Sequence, residues 1–67
     1  MLDPKISAMM RLYKAEIAVY KAEVQNYIDN PVGVGEHGNL VETMDALVGK
    51  IAEAEDKLIV LETHFNE

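Results

Sequence analysis

The chain has 67 residues, about half of them hydrophobic, with a formal net charge of −6 and no cysteine. That length allows one small domain, and its apolar content exceeds what a single seam between short helices can hide, so self-association or a protein partner is expected. The acidity argues against nucleic-acid and membrane-surface partners, because phosphate backbones and anionic lipid repel it, and the lack of cysteine excludes disulfide and thiolate chemistry.

The opening residues, Met1 to Lys5, have no basic stretch followed by an apolar run, so no signal peptide is expected. The longest purely aliphatic run, Leu58 to Leu61, falls far short of a membrane span. A cytoplasmic location follows as the expectation.

Asp3 followed by Pro4 reads as a helix N-cap with proline at the first helical position. Apolar side chains then recur at Ile6, Met10, Tyr13, Ile17, Tyr20, Val24 and Tyr27. The alternation of four and three is the seam of a coiled coil, and it predicts a helix over 3–29, a rod of roughly 40 Å. On the far side Ala8, Leu12, Ala15, Val19 and Ala22 repeat the same spacing. A helix that is apolar on two faces is ordinarily buried on two faces, so these five residues are the expected oligomer interface. The three tyrosines at heptad spacing read as seam residues whose hydroxyls reach its edge, not as an aromatic ligand box.

Residues 30–39 form a glycine-rich connector in which Pro31 ends the first helix. Asn39, with Glu42 three residues on, reads as the cap of a second helix. Gly33, Gly35 and Gly38 satisfy the spacing G-x-G-x-x-G, but that motif needs a strand before it and phosphate beside it. Here a helix precedes it and Glu36 would repel phosphate, so no nucleotide cofactor is expected. Glu36 and His37 are adjacent without a third ligand, so no metal is expected either.

The second half repeats the seam at Leu40, Met44, Leu47, Ile51, Ala54, Leu58, Leu61 and Phe65, predicting a helix over 39–65. Its back carries Glu42, Gly49, Asp56 and Thr63, and its shoulders Asp45, Glu53, Glu55 and Glu62. Residues 1–30 hold four acids and four bases, and residues 31–67 eight acids and two bases, so the net charge sits on the second half as a solvated outer face.

The run Asn30 to His37, followed by Leu40 to Asp45 and Lys50 to Leu58, resembles small uncharacterised proteins of contractile-tailed phages that infect marine cyanobacteria. The likeness covers about half the chain and implies a phage accessory or virion-related protein acting in the host cytoplasm. It brings no active site with it.

Folding the two seams together sets Ile6 against Phe65, Tyr13 against Leu58, Ile17 against Ala54 and Tyr27 against Met44. The same register brings Lys14 near Glu55 on one flank, and Glu16 near Lys57 and Glu23 near Lys50 on the other. The expected fold is therefore all-α: one antiparallel two-helix hairpin over 1–67 that homodimerises into a four-helix bundle.

Catalytic chemistry is not legible. No inward carboxylates or Glu-x-x-His repeat offers a di-metal site, no acid pair sits in an apolar setting, and Ser7 lacks a nearby base. The expected function is a non-enzymatic structural or protein-interaction module. Two alternatives stay open: an acidic effector docking on a basic or nucleic-acid-binding host protein, and a small-ligand or metal-binding bundle.

Overall fold

Asp3 caps the first helix as its sequence predicts. In the computed structural model, which describes residues 2–30 and 40–66, the Asp3 carboxylate accepts from the Lys5 backbone N–H at 2.7 Å. Pro4 occupies the first helical position, where no backbone N–H is needed. This helix, α1, runs Pro4–Asp29. Asn30 closes it, its N–H donating to the Asn26 carbonyl at 2.8 Å and its side-chain amide to Asn26 Oδ1 at 3.1 Å. The second helix, α2, runs Leu40–His64. The expected connector, with Asn39, Glu36, His37 and the three glycines, lies outside the described residues.

The two helices pack along their lengths into an all-α hairpin, with no strand among the described residues. Their direction follows from two cross-contacts: Lys50 Nζ lies 5.5 Å from the centre of the Tyr20 ring, and Lys57 Nζ 5.4 Å from that of Tyr13. Moving one heptad forward along α2 moves one heptad back along α1, so the pair is antiparallel. The rod measures 48 × 14 × 14 Å, and its radius of gyration, 15.1 Å, exceeds the roughly 11 Å of a globular chain of this length.

The core is correspondingly thin. Leu47, Ala54 and Leu61 are buried, all on α2 and all at predicted seam positions. The α1 seam residues, Ile6 through Tyr27, are half-buried. Phe65 departs from expectation. It lies one residue past α2, is 51% exposed, and meets His64 edge-on at 6.3 Å rather than filling the seam opposite Ile6. The reason is an end effect: α1 begins at Pro4, so Ile6 has only half a turn of helix beside it to receive a ring.

The flank charges differ as well. Among the described residues, neither Lys14–Glu55, Glu16–Lys57 nor Glu23–Lys50 closes as an ion pair within 4.0 Å. Lys57 instead pairs with Glu53 one turn back on its own helix at 3.2 Å. A short link within one helix holds fewer torsions in place than a reach across the seam, and the tyrosine ring faces offer the lysines a second attraction there.

Candidate interaction surface

Sequence placed the interface on the back of α1, and the folded hairpin leaves that stripe open. Leu12 is 53% and Val19 56% exposed, with Ala8, Ala15 and Ala22 exposed between them. Met9 adds apolar area at the edge of the stripe between Ala8 and Leu12. Beside it, a shallow groove of about 360 Å³ is lined by Val19, Ala22, Glu23, Asn26 and Tyr27. The three alanines let another backbone approach while the two larger side chains offer apolar area. The stripe is suited to receive a helix.

A second apolar stripe escaped the sequence reading. Val41, Val48 and Ile59 on α2 are each at least half exposed, as is Ile28 at the end of α1. They flank the seam on the side opposite Lys50 and Lys57. A groove of about 390 Å³ lies there, lined by Ile17, Glu55, Leu58, Ile59 and Glu62. Acids are interleaved with Val41, Val48, Ala52 and Ile59 along the sequence, so their spacing reads as part of a charged face. A helical net of α2 drawn one flank away from the seam would have found it.

Electrostatics on the surface are mild. Lys57 is held above the ordinary lysine range, first by its hydrogen bond to Glu53 and the charge of that carboxylate, with a smaller contribution from Glu16 across the seam. Arg11 donates to Ser7 Oγ at 2.9 Å, which engages the one serine of the chain as an acceptor. Among the described residues no group of three or more histidine, aspartate or glutamate side chains could hold a metal ion, and no helix is long and apolar enough to cross a membrane.

No family model, curated protein or solved structure matches the chain. The surface itself therefore carries the functional argument.

Proposed function

We propose that the protein is a non-enzymatic structural module that works as a self-associated helical bundle, with α1 packed on the α1 of a second copy. The observation that carries this is the open stripe Ala8, Leu12, Ala15, Val19 and Ala22 on a hairpin that buries only three side chains among its described residues. Left in water, Leu12 and Val19 each forgo burial worth about 1.5–3 kcal/mol. The total exposed area, 4998 Å², compares with roughly 4,200 Å² for a globular monomer of this mass. The difference approaches the roughly 800 Å² that each partner contributes to a stable interface. An accessory or virion-related role, implied by the resemblance of residues 30–37, 40–45 and 50–58 to phage proteins, is part of the same proposal.

Val19→Glu tests the reading. It sets a carboxylate in the proposed α1 contact and leaves the intramolecular seam untouched, so the sedimenting mass should fall and helicity should survive at raised concentration. A wild type that is monomeric at micromolar concentration, or a variant of unchanged mass, refutes it.

A further inference from the structure

The flank of the rod that carries Val41, Val48 and Ile59 has an unusual division of charge. On α1, the residues at helical spacing along this side include Arg11, Lys14 and Lys21 and no acid. On α2, they include Asp45, Glu55 and Glu62 and no base. Among the described residues, none of these six has an ion-pair partner within 4.0 Å. The opposite flank is different, since there Lys57 pairs with Glu53 and both lysines lie over tyrosine rings. One side of the rod has engaged its cations with a carboxylate and ring faces, and the other holds Lys14 and Lys21 without an ion pair, and Arg11 on Ser7 Oγ alone, beside exposed apolar residues.

We infer that this flank is a second self-association surface, on which another copy docks with its α1 over this α2 and its α2 over this α1. The contacts Tyr20–Lys50 and Tyr13–Lys57 show which residues share a height along the rod. By that scale Lys14 stands level with Glu55, Ala18 with Ala52, Lys21 with Val48 and Ile28 with Val41. A two-fold axis along the rod preserves heights while exchanging the helices. Lys14 then faces the partner's Glu55, Lys21 reaches the partner's Asp45, and Ile28 covers the partner's Val41. Arg11 meets the partner's Ile59 and Glu62, with the Ala18–Ala52 level leaving room for close approach at the centre. A two-fold across the rod at the Ala18–Ala52 level would set α1 on α1 and bring Lys14 against the partner's Lys21, which like-charge repulsion opposes. Charge therefore selects both the occupant and its direction.

This surface is distinct from the α1 stripe, so the two can fail separately. With both filled, the wild type should sediment above the mass of a dimer. Val48→Glu with Ile59→Glu should reduce it to the dimer held by the α1 stripe, Val19→Glu to the dimer held by this flank, and the triple variant to monomer. If Val19→Glu changes nothing while Val48→Glu/Ile59→Glu gives monomer, the α1 reading fails and this one stands. Because the chain has no cysteine, Ala18→Cys and Ala52→Cys give a milder test. Oxidising a mixture of the two single variants should yield a covalent dimer several-fold above either alone. Cross-linking of Ala18→Cys by itself at the level of the mixture overturns the arrangement, as does an unchanged mass for Val48→Glu/Ile59→Glu.

Discussion

Lys57 illustrates how the charges of this hairpin are used. Its ammonium is shared between the Glu53 carboxylate, 3.2 Å away, and the face of Tyr13. The raised affinity for its proton follows first from Glu53. A group bound more tightly to its proton when folded supports the fold at neutral pH and loses that contribution as pH rises through its folded-state value, in the alkaline range. Being solvent-screened, it does little for stability but gives a clean spectroscopic handle. Glu53→Gln should lower the Lys57 titration midpoint, read by NMR at the side-chain methylene, without changing helicity. A midpoint that stays put would show that Tyr13 or Glu16 is the main cause.

Among the helices, α2 holds the buried residues and also an internal glycine. A methyl group added at Gly49 would meet nothing within 4 Å. Glycine within a helix costs roughly 0.5–1 kcal/mol relative to alanine, so Gly49→Ala should stabilise the protein by about that much in urea unfolding. Destabilisation would mean that another helix approaches closely at that point. Leu47, 8% exposed, behaves in the opposite sense: Leu47→Ala should cost about 2–5 kcal/mol, enough to unfold so thin a core. Both helices, their starts and ends to within a residue or two, and every buried position among the described residues were legible in the four-three spacing and in Asp3-Pro4. Phe65 was not, because spacing says nothing of where the opposing helix runs out. Val41, Val48 and Ile59 were missed for a different reason: their stripe matters only once the hairpin's sides are distinguished, and that needs both helices phased together. The flank ion pairs expected from the register do not form: Lys57 turns to Glu53 on its own helix and Lys50 lies over Tyr20, while Lys14 and Glu55 stay more than 4.0 Å apart.

For the whole molecule, elongation is the dominant fact. A rod 14 Å thick is two helices and nothing more, so it cannot enclose what it buries, and apolar area must meet another surface or water. Stability should then depend on concentration. Once the contacts fill, each tenfold rise in protein should add about 1.4 kcal/mol of apparent stability per dimer formed, seen as a rising Tm across a dilution series. A Tm independent of concentration over three decades would show that the folded hairpin stands alone.

The antiparallel run of α1 and α2 also gives the rod a head and a tail. Pro4 and His64 lie at one end, and Asp29 and Leu40 at the other, about 38 Å away at the rise of a helix. A two-fold along the rod would keep that polarity, so a pair of hairpins would carry both copies of Pro4 and His64 at one end and present two identical Asp29–Leu40 ends side by side. Any receptor for such a tip would meet a bivalent ligand, and weak single contacts would be multiplied through effective concentration. Copies docked head to tail would instead hide this directionality, one tip at each end, and bind as if each were alone.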